Sequence, residues 1–238
     1  MGKLRNFLFM FWNVFFFFSL IFTWVPVALI VKPLRSVFTG PVGWLYKWFI
    51  LPSVGVKVKV TGRENVPKGT GFAVLSNHQS YVDIGLIIGW VRPTVFLAKM
   101  ELFKVPLFGQ AIKMGRCIPI HRGHPRRNKH VGSLMHKNIA LGSSYCIFPE
   151  GTRSTKGEVL PFKSGVFKYF IDDPVPILPV TIRNADEIMP RKKGILNSGT
   201  IEIVIHPLVK PEEYDGKSVE EFRESVRDTI VSAMPDRS

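Results

Sequence analysis

The apolar positions along the chain fall into two regimes. From Phe7 to Val31 there is no charged residue, and only Asn13, Ser19, Thr23 and Pro26 interrupt the apolar character. The run includes four consecutive phenylalanines, Phe15 to Phe18. A stretch beyond ~18 such residues is long enough to cross a bilayer. It exceeds the ~7–15 residue core of a cleaved signal and no small-residue cleavage site follows, so it is expected to remain in the mature protein. Gly2 is followed by Asn6 where a myristoylation signal wants Ser or Thr, so no lipid is expected there. A second apolar stretch, Val42 to Leu51, sets Trp44, Tyr46, Trp48 and Phe49 around Lys47. It is too short to span, but Trp and Tyr suit the membrane–water interface. Lys3 and Arg5 precede the first run and Lys32 and Arg35 follow it. A single span would therefore leave cations on both sides, against the positive-inside bias. With a turn at Gly40-Pro41, residues 1–55 are expected to form a membrane-anchoring helical hairpin that dips into one leaflet and returns. The alternatives are a spanning helix and a buried core helix; four phenylalanines in a row leave the latter without a polar face.

After a linker at Pro52 to Gly55 the pattern changes to short apolar runs alternating with amphipathic stretches. The runs predict strands over Val56–Thr61, Phe72–Leu75, Thr94–Ala98, Arg116–Ile120, Tyr145–Phe148, Ile177–Ile182 and Thr200–Ile205. The amphipathic stretches predict helices over Ser80–Trp90, Pro106–Met114, Asn128–Leu141, Ser164–Phe170 and Ser218–Ala233. The last has a capping box, Ser218 with Glu221, and an apolar stripe of Val219, Phe222, Val226 and Ile230. Strands alternating with helices imply an α/β domain over residues 56–238, with a mostly parallel twisted sheet of about seven strands flanked by helices.

The stretch Ser76-Asn77-His78-Gln79-Ser80-Tyr81-Val82-Asp83 lies between a predicted strand and a predicted helix. A histidine titrates near neutrality and is the usual general base; a carboxylate behind it fixes the tautomer and steadies the imidazolium. Residues five apart on one straight helix point about 140° apart and do not meet. His78 is therefore expected just before the helix and Asp83 in its first turns. The bland alternative is an Asn/Ser helix cap with a stray histidine, and Ser80 reads as a cap rather than a nucleophile.

Three further stretches stand at strand ends. They run Leu97 to Leu102, Gly115 to Arg122 and Phe148 to Ser154, the last followed by Pro161-Phe162-Lys163-Ser164-Gly165. Ligands of open α/β sheets bind beyond the carboxyl ends of strands. His78, Lys99, Arg122, Glu150 and Arg153 all follow predicted strands, as one shared site requires. Arg122 and Arg153 are candidates for phosphate, which the guanidinium fork matches. Glu150 is either an acceptor for substrate hydroxyls or the structural acid of a tight turn with Gly151 and Thr152.

Composition adds one constraint. The chain has 238 residues, with 32 Lys and Arg against 18 Asp and Glu, a net charge of +14. That balance implies an anionic partner, whether phosphorylated substrate, acidic lipid or nucleic acid. The stacking clusters of a nucleic-acid binder are missing from the soluble part. Arg126, Arg127 and Lys129 read as a solvated basic surface or a contact to anionic lipid. Cys117 and Cys146 read as reduced, buried hydrophobes. His121, His124, His130 and His136 match no metal-ligand spacing, so no metal is expected.

Four blocks in order resemble the glycerolipid acyltransferases, in particular the bacterial 1-acyl-sn-glycerol-3-phosphate acyltransferases. They are Asn77–Asp83 (N-H-x-S-x-x-D), Gly115–Arg122, Phe148–Ser154 (F-P-E-G-T-R-S) and Val175–Val180 (V-P-I-L-P-V). One departure is His121, where the family commonly has an acid. The resemblance implies that His78 and Asp83 are the catalytic pair. It also implies that Arg122, Glu150, Gly151 and Arg153 bind the phosphoglycerol portion, that Lys99 is a further phosphate contact, and that the last block shapes the site. It implies an enzyme that makes phosphatidic acid from lysophosphatidic acid and a thioester of acyl carrier protein (ACP) or coenzyme A. No cofactor is implied. The implied location is the cytoplasmic face of a bacterial inner membrane, among membrane lipids.

Overall fold

The structure, a computed structural model, describes residues 2–19, 22–23, 26–27, 39–121, 125–155, 157–190 and 197–235. Helix α1 (Gly2–Ser19) opens the chain. Helix α2 (Thr39–Leu45) widens into a π-helical turn (Tyr46–Ile50) and ends in a last α-turn (Leu51–Ser53). Strand β1 (Val56–Thr61) leads to β2 (Ala73–Ser76), then α3 (Asp83–Leu86) with a π-helical continuation (Ile87–Val91). Next come β3 (Val95–Lys99), α4 (Phe108–Met114), β4 (Ile118–Ile120), α5 (Val131–Ala140) and β5 (Tyr145–Ile147). The chain closes with α6 (Ser164–Asp172), β6 (Ile177–Arg183), α7 (Ala185–Ile188), β7 (Gly199–Ile205) and α8 (Val219–Ser232).

The seven strands form one sheet in the order β1-β7-β6-β2-β5-β3-β4. All pairs are parallel except β6 with β7. The central strands β2 and β5 are buried at every position, as strands covered on both faces must be. The edge strand β1 instead alternates Val with the exposed Lys57 and Lys59, charges that discourage further strand pairing. Alternation along the strands feeds two cores. Val74, Cys146 and Leu178 face α2 and α3, packing with Ile50, Leu51, Leu86 and Ile87. Leu75, Ile147 and Ile177 face α5, α6 and α8, packing with Met135, Ile139, Phe167 and Phe222. The capping box of α8 forms between Ser218 and Glu221, and its Phe222, Val226 and Ile230 are buried.

The N-terminal helices join the first core. Phe9 is buried in it, with Leu8, Trp12 and Phe16 packed alongside. Tyr46 donates its hydroxyl hydrogen bond to Asn13 Oδ1 at 2.7 Å, tying α1 to the turn after α2. The outward side is apolar: Phe7, Phe11, Phe15, Trp44, Trp48 and Phe49 are exposed. Gly40-Pro41, expected as the turn of the hairpin, lies instead in the first turn of α2, where proline is tolerated; residues 28–38 lie outside the described residues. Among the described residues, no helix is long and apolar enough to cross a membrane.

Candidate active site

Because β2, β5 and β3 run parallel, their carboxyl ends open on the same edge of the sheet. The turn after β2 is pinned from below by Asn77. Its side chain is fully buried, donating to Ile182 O and accepting from Ile182 N, both at 2.8 Å. The amide thus continues the β2–β6 ladder after backbone pairing stops at Ser76 and Val180, where an Asn/Ser helix cap was the alternative reading.

His78 sits in that turn, before the helix, and its Nδ1 lies 2.7 Å from Asp83 Oδ2. Asp83 is the first residue of α3 and fully buried. The same Oδ2 accepts the backbone N–H of Gln79 at 2.7 Å and of Ser80 at 2.8 Å. Three donors on one carboxylate oxygen fix its rotamer. These bonds also explain why α3 begins at Asp83 and not at Ser80 as predicted: the turn's amides are committed to the Asp83 side chain. Ser80 does not cap the helix. The cap position is Val82, without a side-chain bond, and the Ser80 hydroxyl donates to Met189 O at 3.3 Å.

Phe148, at the end of β5, stacks its ring on the imidazole, 4.0 Å between centroids and 14° between planes. Among the described residues nothing hydrogen-bonds the other ring nitrogen, Nε2, and the side chain is 17% exposed. An imidazole with Nδ1 held by a carboxylate, one face covered and Nε2 open is arranged to accept a proton from an incoming group.

Glu150 follows in the next turn and is 2% exposed. Its Oε1 accepts the backbone N–H of His78 at 2.7 Å and its Oε2 that of Leu160 at 3.2 Å. Its two oxygens thus serve the backbone, the arrangement of a structural turn acid. Burial pushes its carboxyl up to about 8, and the two amide donors pull it back only in part. Ser154 returns the link by donating its N–H to His78 O at 2.9 Å. The two loops are therefore stitched together at the histidine backbone. Gln79 adds a third stitch, donating from Nε2 to Gly157 O at 2.6 Å.

Gly151 closes its turn with a bond to Phe148 O at 3.0 Å and a φ of 69°. The positive φ is what calls for glycine; a Cβ there would also lie 2.6 Å from Lys163 Nζ, the end of a flexible side chain that can move aside. Arg153 lies over the ring of Tyr81, its Cζ 3.4 Å from the centroid. Lys99 is exposed at the end of β3, two strands from β2. Arg122 lies outside the described residues. The structure therefore brings His78, Asp83, Glu150, Gly151 and Arg153 together, with Lys99 on the same edge. The sequence reading gave Tyr81, Phe148 and Lys163 no role of their own, although Tyr81 and Phe148 lie inside the motif blocks and Lys163 in the stretch after the third; nothing in the pattern distinguished them from packing.

Of the motif Val175–Val180, residues 177–180 lie in β6, in register beside β2. Cys117 and Cys146 are free, and burial pushes both thiols up, which keeps them protonated and poor nucleophiles. Among the described residues no group of three or more His, Cys, Asp or Glu is placed to hold a metal ion.

The acyltransferase family model matches residues 57–183, more than half of the chain, and the chain belongs to that family. Its relatives narrow the comparison. A 1-acyl-sn-glycerol-3-phosphate acyltransferase of Borreliella burgdorferi is 32% identical over 182 residues, covering 76% of this chain and 72% of that protein. The chloroplastic 1-acyl-sn-glycerol-3-phosphate acyltransferase BAT2 of Brassica napus is 35% identical over 152 residues, covering 63% of this chain. The chain matches only 44% of that relative's length. Among solved structures, the 1-acyl-sn-glycerophosphate (LPA) acyltransferase PlsC from Thermotoga maritima superposes with a TM-score of 0.80 at 28% identity, covering 98% of this chain and 95% of that one.

Proposed function

We propose that the protein transfers an acyl group from a thioester to the free sn-2 hydroxyl of 1-acyl-glycerol 3-phosphate, forming phosphatidic acid. The observation that carries this reading is the 2.7 Å contact of His78 Nδ1 with Asp83 Oδ2, which leaves Nε2 for substrate. Nε2 takes the hydroxyl proton as that oxygen attacks the thioester carbonyl. The imidazolium so formed lies against the Asp83 carboxylate. When the tetrahedral intermediate collapses, the C–S bond breaks and the imidazolium proton passes to the departing thiolate. The products are phosphatidic acid and the free thiol of ACP or coenzyme A, and the residues end as they began. A positioned base of this kind contributes ~10²–10⁴-fold in rate.

Arg153 supplies the phosphate contact in this reading, with Lys163, whose Nζ lies against Gly151, and Lys99 and Arg122 as further cations. Glu150 and Gly151 act one step back, Glu150 by holding the His78 backbone and Gly151 by the turn only glycine can make. Residues 1–55 anchor the chain through their exposed aromatic side, at the cytoplasmic face of a bacterial membrane, where lysophosphatidic acid and product both partition. No metal or prosthetic group enters the scheme.

The test is an acyl-transfer assay read by mass spectrometry. Purified protein is given lysophosphatidic acid or glycerol 3-phosphate, with palmitoyl-ACP or palmitoyl-coenzyme A. Phosphatidic acid from lysophosphatidic acid supports the reading. Acylation of glycerol 3-phosphate alone, or no product from any pair, overturns it.

A further inference from the structure

The net charge is unevenly placed. Residues 102–149 contain no Asp or Glu and eight Lys or Arg, against +14 for the whole chain. This segment holds α4, the edge strand β4 and α5. Lys113, Arg126, Arg127, Lys129 and Lys137 are exposed, and none of them makes an ion pair among the described residues. On α5 the inward positions are Val131, Met135 and Ile139. The outward ones, His130, Leu134, Lys137 and Leu141, follow the same three-and-four spacing and are all exposed. With Arg126, Arg127 and Lys129 in the turns just before the helix, the result is a basic stripe studded with leucine. It begins beside β4 at the carboxyl-end edge of the sheet, where the candidate site lies, and runs back along the helix.

We propose that this stripe is the docking surface for an acidic protein that carries the acyl thioester. The inference deepens the acyl-transfer reading above and rests on it. Three observations select this occupant. First, α5 packs in the core on the opposite face of the sheet from α1 and α2, which bear the exposed aromatic side chains. A bilayer met through that aromatic surface leaves the stripe turned toward solution. Second, Arg126, Arg127 and Lys129 precede α5 and Lys137 lies about 9 Å of helical rise beyond its first residue, so the cations are spread along the element and not gathered round one phosphate group. Third, the large apolar side chains exposed in this segment are Leu102, Val105, Leu134 and Leu141, with no Phe, Tyr or Trp to stack on a nucleotide base. An acidic surface with apolar residues of its own complements that mixture, and opposite charge speeds encounter and sets orientation.

The experiment compares the wild type with the charge-reversal variant R126E/R127E/K137E. Palmitoyl-ACP and palmitoyl-coenzyme A are given as alternative donors to lysophosphatidic acid, and melting temperature is followed alongside. Expected is a rise of about tenfold or more in KM for palmitoyl-ACP and a flatter salt dependence of that KM. The KM values for palmitoyl-coenzyme A and lysophosphatidic acid, and the melting temperature, are expected to stay as in the wild type. Equal rises for both donors would assign the cations to the nucleotide and overturn the proposal. So would no change for either donor, or weaker sedimentation with phosphatidylglycerol vesicles while the carrier KM is kept. Should the wild type use the carrier alone, calorimetric binding of palmitoyl-ACP to both proteins decides, and equal affinity overturns the proposal. A wild type that forms no phosphatidic acid from either donor counts against the acyl-transfer reading itself, which keeps the two failures apart.

Discussion

The Arg153 guanidinium is stacked on the ring of Tyr81, 3.4 Å from Cζ to the centroid, and Tyr81 itself is 62% exposed. Tyr81 stands in the same turn as His78 and Asp83, so one ring ties the cation of the third block to the catalytic block. A guanidinium stacked by its face on an aromatic ring is held in one orientation. Tyr81→Ala is expected to raise KM for lysophosphatidic acid about fivefold to thirtyfold, the equivalent of roughly 1–2 kcal/mol, with a smaller change in kcat. Tyr81→Phe keeps the ring and is expected to restore the wild-type KM. Steady-state kinetics on mixed micelles check both.

Asp83→Asn isolates charge from geometry. An asparagine can keep its carbonyl on the three donors now bonded to Oδ2 while its amide takes the place of Oδ1. The fold is expected to survive, with a melting temperature near that of the wild type. The rate is expected to fall by about 10³-fold or more, because the imidazolium loses its counter-charge. A kcat loss with little change in KM is the signature.

Glu150 makes stability depend on pH. Its carboxyl moves from an ordinary 4.5 to about 8 through burial. A group whose folded value lies above its unfolded one binds its proton more tightly when folded. Its contribution is complete below about pH 4.5 and is lost as pH rises through about 8. The urea midpoint of the wild type is therefore expected to fall across that window. In Glu150→Gln the fall is expected to shrink, because the titrating group is gone. Chemical denaturation at a series of pH values reads this directly.

Gly43 and Gly85 let α2 settle on the helix that carries Asp83. A Cβ on Gly43 would lie 2.6 Å from the backbone oxygen of Ile88, and one on Gly85 2.1 Å from the Tyr46 ring. The Ile88 backbone cannot step aside as a flexible side chain can. Gly43→Ala is expected to cost about 1–3 kcal/mol as overpacking, seen as a lower melting temperature. The site is coupled to the apolar amino-terminal segment through this contact, so activity is expected to drop at temperatures where the variant is still largely folded.

The sequence pattern located all seven strands because each is a short apolar run bounded by polar turns, and the sheet buries β2, β5 and all but the last residue of β6. It did not show that β7 runs antiparallel to β6. The alternation of β7 is compatible with either direction, and among the described residues between the two strands the helix is α7 alone, four residues long. The His78–Asp83 pairing was legible because helical geometry forbids it unless the histidine precedes the helix. The role of Asn77 was not, since its partner Ile182 lies 105 residues away. The same holds for Glu150: a turn acid and a substrate acceptor read alike until its oxygens are seen on the N–H groups of His78 and Leu160. The shortening of α3 was hidden for a related reason. Propensity favours helix from Ser80 onward, but the Asp83 carboxylate takes the amides of Gln79 and Ser80 in a turn.

The most direct measurement is single-turnover acyl transfer to lysophosphatidic acid by His78→Ala beside the wild type, with lysophosphatidic acid binding measured on both. The account predicts a rate lower by about 10²–10⁴-fold with binding retained. A variant that still turned over at close to the wild-type rate would contradict it.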